Sequence, residues 1–306
     1  MIVNTFVPYD SELLENNIIS LFNQFSFLRK EIIGYSVCKN PIYSIIFGHG
    51  EKQIFYFGSI HANESIVSQL LMKFIEESCI AYKSNSKLLG YSVKNIFEKS
   101  TIYIVPMANP DGVDLVNNPS LLPHKYYVQV KSIAADNYPS ISFANGWKAN
   151  INGVDLNLQF SAGWEQAKKI KYSQGISTPA PRNFVGLAPL SQPESLALYN
   201  YTKQHNFDLT IAYHTQGKEI YWQFQNYAPK NAYNIGLQFA KISNYTLADV
   251  PYISSFAGYK DWFLQEYKKP AYTIEAGFGE NPLPISQFNE IYKDNLGILL
   301  LGSILA

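Results

Sequence analysis

Between Ile42 and Pro106 the chain alternates short apolar runs with one long amphipathic pattern, and this alternation restricts the fold more than any other feature of the sequence. The runs 42–47, 53–60 and 101–106 are rich in β-branched and aromatic residues, which suits buried strands. Between the second and third runs, segment 65–82 places Val67, Leu70, Leu71, Phe74 and Ile75 at spacings of three and four, giving one apolar stripe along a helix. Strand, helix and strand in that order need a crossover connection. The expected fold is therefore α/β: a mixed, largely parallel twisted sheet flanked by helices, in a single domain over residues 1–306.

Further along, 194–205 reads as helix, 207–213 and 271–275 read as buried strands, and 296–306 reads as a packed terminal helix. That last run is far shorter than the roughly 20 residues a membrane span needs. Residues 117–193 are rich in Asn, Ser, Pro and Tyr and only weakly periodic, so a long functional loop is expected there. No compositional shift marks a linker.

Composition narrows the partners. With 47% hydrophobic and 16% charged residues the chain can bury a core, so intrinsic disorder is excluded. Twenty-four basic residues balance twenty-four acidic ones, so no overall field draws the protein to nucleic acid or an anionic membrane, and a small partner is expected. Cys38 and Cys79 form neither a disulfide framework nor a CxxC pair and read as core thiols. The N-terminus lacks a basic segment followed by a long apolar one, so no secretory signal is read; a cytoplasmic location is expected, with spore association as a variant.

Three chemical signals stand at strand ends. His61-Ala-Asn-Glu64 follows the run 53–60, His214 follows 209–213, and Glu275 closes 271–275. In an open α/β sheet the ligand site lies beyond the carboxyl ends of the strands, which is where these groups would be delivered. Zinc hydrolases commonly use two histidines and one glutamate, with a fourth position for water. Taken singly, each signal has a plain structural alternative: HxxE arises by chance, and a strand-end His is often just hydrogen-bonded. Together, the three strand ends are hard to explain without a site. His49, His124 and His205 are read as surface residues.

In sequence order, the chain carries His61 to Glu64, Asn109-Pro-Asp-Gly112, Gly153-Val-Asp-Leu-Asn-Leu-Gln-Phe160, His214 and Glu275. This set resembles the M14 zinc carboxypeptidase family from about Tyr35 to Pro284. Trp147-Lys-Ala-Asn150, His214-Thr-Gln-Gly217, Gly258-Tyr-Lys-Asp-Trp262 and Gly277-Phe-Gly-Glu-Asn-Pro-Leu-Pro284 are similar to its bacterial γ-D-glutamyl-diamino-acid peptidase branch, which cuts peptidoglycan stem peptides. The resemblance implies a zinc carboxypeptidase-like fold and one Zn²⁺ per chain, held by His61, Glu64 and His214. It also implies Glu275 as general base and a peptide or muropeptide substrate.

Departures from the family pattern shape the remaining expectations. Lys148 falls where the resemblance implies an oxyanion-stabilising arginine. The Asn-Arg pair that grips a C-terminal carboxylate reads Asn157-Leu158, which argues against a typical carboxypeptidase and leaves Asn157 as the retained half. The mobile tyrosine of the family falls at Ile253, beside Tyr252. Lys260 falls at the side-chain specificity position, where it would either attract a carboxylate or lie solvated beside Asp261. Arg182 is a candidate replacement for the missing clamp.

Overall fold

The computed structural model describes residues 1–306, the side chains of 136 and 137 excepted. Its main sheet is built from β1 (Arg29–Tyr35), β2 (Pro41–Gly48), β3 (Lys52–Gly58), β6 (Ser100–Val105), β7 (Leu209–His214), β8 (Glu219–Tyr221), β9 (Thr246–Ala248) and β10 (Ala271–Glu275). A short ribbon of β4 (Lys87–Leu88) and β5 (Tyr91–Ser92) lies outside it. The order across the sheet is β1-β2-β6-β3-β7-β10-β8-β9. The central strands β6, β3, β7 and β10 run parallel, while β1, β2 and β8 pair antiparallel with their inner neighbours. The expected mixed, largely parallel sheet is present.

The parallel strands are buried on both faces, and their sequences are accordingly continuous apolar runs. One face packs against helices 66–83, 232–243 and 288–305; the other packs against helices 193–203 and 259–267. Helix 66–83 turns Val67, Leu70, Leu71, Phe74 and Ile75 inward as its spacing requires. The chain leaves β3 for β6 on one side and later returns to β7 on the other. This reversal opens a crevice at the carboxyl ends of β3 and β7.

Segment 117–193 departs from the expectation of a long loop. It contains helices 124–137 and 164–173 and 3₁₀ turns at 119–121 and 156–158. Their signals are weak for physical reasons: Pro123 offers no side-chain cap to the first, and the inward face of the second is Trp164, Ala167 and Lys171. His205 also departs from the surface reading. Its ring stacks on Phe207 at 5.0 Å, and a ring nitrogen bonds the Tyr201 carbonyl at 2.8 Å. His49 and His124 are exposed, as read.

Asn109-Pro-Asp-Gly112 is scaffold. Asn109 caps helix 110–117 by accepting from the Gly112 N–H, and its amide donates to the carbonyls of Ile60 and Ala149, which tie the loop after β3 to the segment carrying Lys148. Asp111 holds the turn after β1 by accepting from Ser36 Oγ, Cys38 N–H and Asn40 Nδ2 at 2.6–2.9 Å.

Asp114, on the same helix, accepts from the Ser11 N–H and hydroxyl, at 2.8 and 2.6 Å. Burial nevertheless pushes its carboxyl up to about 7. The folded protein thus binds a proton that the unfolded chain releases, so stability falls as pH rises from about 4 to about 7. Asp114→Asn can keep both bonds, with the Ser11 hydroxyl turning from donor to acceptor. We expect near-neutral stability at pH 4 and a gain at pH 8 of up to roughly 4 kcal/mol, measured by urea unfolding at both pH values. An equal loss at both would mean the charge is immaterial.

Candidate metal centre

Three parallel strands deliver the site. His61 stands three residues beyond β3, while His214 ends β7 directly opposite Glu275 at the end of β10. The turn after β3 is fixed by Ser59, a non-glycine at φ 48° whose hydroxyl bonds Ser68 Oγ at 2.6 Å and the Glu64 carbonyl at 3.1 Å. The Ala62 N–H donates to the Lys148 carbonyl, so the lysine is held against the same turn.

His61 Nδ1 and Glu64 Oε1 are 3.0 Å apart, His214 Nδ1 and Glu64 Oε2 are 3.0 Å apart, and the two Nδ1 atoms are 3.1 Å apart. One atom from each residue lies within 4.8 Å of the others, the only such cluster of three metal-binding side chains among the described residues. Two imidazole nitrogens and a carboxylate converging on one point match the donors zinc takes in hydrolases. The site therefore fits the ion. His214 and Glu64 are each 1% exposed, and the His214 Nε2 is buried without a partner among the described residues, so these groups are held far from water.

The surrounding charges orient the donors. Asp155 accepts from His61 Nε2 at 3.2 Å, an arrangement that directs Nδ1 inward and raises ligand basicity. Asp155 is itself fixed by the N–H groups of Asn157 and Asn183. Burial works against both charges, but the pair favours them: His61 is pushed up to about 9 because Glu64 and Asp155 outweigh its burial, and Asp155 is held well below its usual range. Glu64 is likewise held low despite its burial, by Lys148 first and then by the two histidines.

Glu275 differs. It is half-buried, accepts no hydrogen bond from a described residue, and is pushed above the ordinary carboxylate range by burial, with His214 opposing that shift. Such a carboxylate is free to take a proton. Lys148 reaches the site but spends its ammonium on Glu64 Oε1 at 2.9 Å.

A cavity of about 320 Å³ opens beside these groups, lined among others by His61, Lys148, Asn157, Leu158, Lys171 and Glu275. Asn157 accepts from the Tyr259 N–H at 3.1 Å, and its amide nitrogen bonds no described residue. Lys260 lines the cavity as well, but it is neither solvated nor available. At 4% exposure it is bonded to Asp261 and to the Gln223 carbonyl, so its charge is already neutralised. Arg182 is not among the residues that line this cavity and donates to the Gly146 carbonyl at 3.1 and 3.3 Å. Tyr252 is 61% exposed and rests edge-on against Phe256. Asp155, inside the Gly153–Phe160 motif, and Lys171, at the inward helical spacing after Trp164 and Ala167, are further residues of the site that the sequence signals above do not single out.

The fold and this centre define a zinc peptidase. The zinc carboxypeptidase family model, peptidase M14, matches residues 18–297, and the chain belongs to that family. It is 41% identical, over 98% of its length and 74% of the relative's, to γ-D-glutamyl-L-diamino acid endopeptidase 1 of Lysinibacillus sphaericus. It is 38% identical, over 95% of its length and 76% of the relative's, to the uncharacterized protein YqgT of Bacillus subtilis (strain 168). Its fold matches carboxypeptidase A from Helicoverpa armigera with a TM-score of 0.72 and 17% identity, covering 99% of this chain and 75% of that one. No helix is long and apolar enough to cross a membrane among the described residues.

Proposed function

We propose that the protein hydrolyses the amide bond between a γ-D-glutamyl residue and the diamino acid of peptidoglycan stem peptides. The observation that carries this reading is a complete zinc-peptidase centre beside a cavity whose wall has Leu158, not arginine, next to Asn157. The 41% identity to a γ-D-glutamyl-L-diamino acid endopeptidase supports the substrate class. Two free cysteines suit a reducing compartment, so action on muropeptides in the cytoplasm is part of the proposal.

His61, Glu64 and His214 would hold the zinc, which when bound polarises the scissile carbonyl and acidifies water. Glu275 takes the proton of the attacking water and delivers it to the departing nitrogen, a role its raised pKa favours. Lys148 supplies positive charge toward the oxyanion, sharing its ammonium between the Glu64 carboxylate and the developing charge. Its single point charge fixes the oxyanion less tightly than a guanidinium fork. Asn157 offers its amide nitrogen to the substrate.

Incubation of zinc-loaded protein with L-Ala-γ-D-Glu-meso-diaminopimelate, with products read by mass spectrometry, is expected to yield L-Ala-D-Glu and free diaminopimelate. If this peptide stays intact while ordinary L-peptides lose their C-terminal residue, the protein is a conventional carboxypeptidase.

A further inference from the structure

Helix 164–173 turns three residues inward, Trp164, Ala167 and Lys171, while the adjacent Lys169 is exposed and Lys168 lies over the Trp164 ring at 5.1 Å. An apolar stripe has thus been completed by a lysine. The helix cannot drift from the cavity wall. The Phe160 N–H donates to the Ala257 carbonyl and the Ala257 N–H to the Ala162 carbonyl, at 3.0 and 2.7 Å. Gly163, at φ 67°, starts the helix so close to Phe256 that a Cβ there would lie 2.6 Å from the ring.

Lys171 lines the cavity, is only 7% exposed, and makes no hydrogen bond or ion pair with a described residue. The other cations near the site are committed: Lys148 to Glu64, Lys260 to Asp261 and the Gln223 carbonyl, and Arg182 to the Gly146 carbonyl. A lysine side chain this little exposed, whose ammonium meets no partner among the described residues, carries a desolvation cost to the fold. Burial lowers its pKa, with Asp155 opposing, which is the response of a cation lacking a nearby counter-ion. With Leu158 presenting no charge, the cavity holds one uncommitted cation among the described residues.

We infer that Lys171 is the specificity residue that receives a free carboxylate of the substrate, an assignment that rests on the stem-peptide reading above. A γ-linked D-glutamyl residue leaves its α-carboxylate free beside the scissile bond, and the diamino acid brings carboxylates on the other side. Either supplies the same chemistry, a carboxylate paired with an ammonium away from bulk water.

The test compares wild type with Lys171→Met on three tripeptides: the free L-Ala-γ-D-Glu-meso-diaminopimelate, its D-Glu α-amide and its diaminopimelate α-amide. Lys171→Met is expected to raise KM for the free peptide about 10- to 100-fold with little change in kcat, the pattern of lost uniform binding. One amidated peptide should show the same rise with wild type and no further rise with the variant, which identifies the carboxylate. Ligand-free Lys171→Met should melt at or above the wild-type temperature, because no native partner is lost. If both amidations multiply with the mutation, or the variant melts lower with KM unchanged, the assignment is wrong.

Calorimetry of the free peptide on zinc-loaded Glu275→Gln, with and without Lys171→Met, separates the two readings. Binding lost with Lys171 while wild type releases no product would overturn stem-peptide hydrolysis alone. Product release with unaltered binding in the double variant would overturn the Lys171 assignment alone. Absence of binding in both would overturn both.

Discussion

Glu275→Gln is expected to lower kcat by about 10²- to 10⁴-fold, the usual worth of a general base, while zinc content stays at the wild-type level. The substitution is nearly isosteric and costs no hydrogen bond, because the carboxylate accepts none from a described residue. What changes is proton affinity: the amide oxygen cannot hold the proton of the attacking water. Burial favours the protonated carboxyl, so Glu275 is a stronger base than an exposed glutamate. Steady-state rates with metal analysis on the same samples check this. A variant retaining more than about a tenth of wild-type kcat would move the base elsewhere.

His214→Ala is expected to abolish stable zinc binding and, with it, all detectable peptidase activity. The Nδ1 of His214 stands 3.0 Å from Glu64 and 3.1 Å from His61 Nδ1, and no other described histidine, cysteine or carboxylate completes a set of three with that pair. Two donors in place of three leave the ion bound only weakly and open to exchange. The metal-free wild type should also bind zinc more tightly as pH rises toward 9, because His61 is held protonated up to about 9 by Glu64 and Asp155 despite its burial and must release that proton to ligate. Zinc measured after dialysis, in wild type and variant at pH 6 and pH 8, checks both points. Equal zinc in His214→Ala and wild type would remove His214 from the ligand set.

The inner strands were legible because they are largely buried: in the parallel core β10 matches its expected bounds of 271–275 and β6 begins and ends within a residue of its own, as does the antiparallel β2 beside it. The edge was not. Strands β8 and β9 have three residues each, too few to show alternation. Helices 124–137 and 164–173 escaped because their sequences mix lysines with the inward positions, and Lys171 itself interrupts the stripe that would have announced a helix.

At the site, strand-end position and residue type were enough to bring His61, Glu64, His214 and Glu275 together. The cations near the cavity were not separable by sequence. Lys148, Arg182 and Lys260 are each held by a carboxylate or carbonyl while Lys171 meets none among the described residues, and the partners that make the difference, Glu64, Gly146, Gln223 and Asp261, come mostly from distant segments.

Zinc titrated back into metal-stripped protein, with cleavage of L-Ala-γ-D-Glu-meso-diaminopimelate as the readout, tests the central claim most directly. Product formation is expected to be absent without metal, to rise linearly with added zinc and to level off at one ion per chain, while Glu275→Gln takes up the same ion and forms almost no product. Cleavage by the stripped protein, or activity restored to His214→Ala at the same stoichiometry, would contradict that claim.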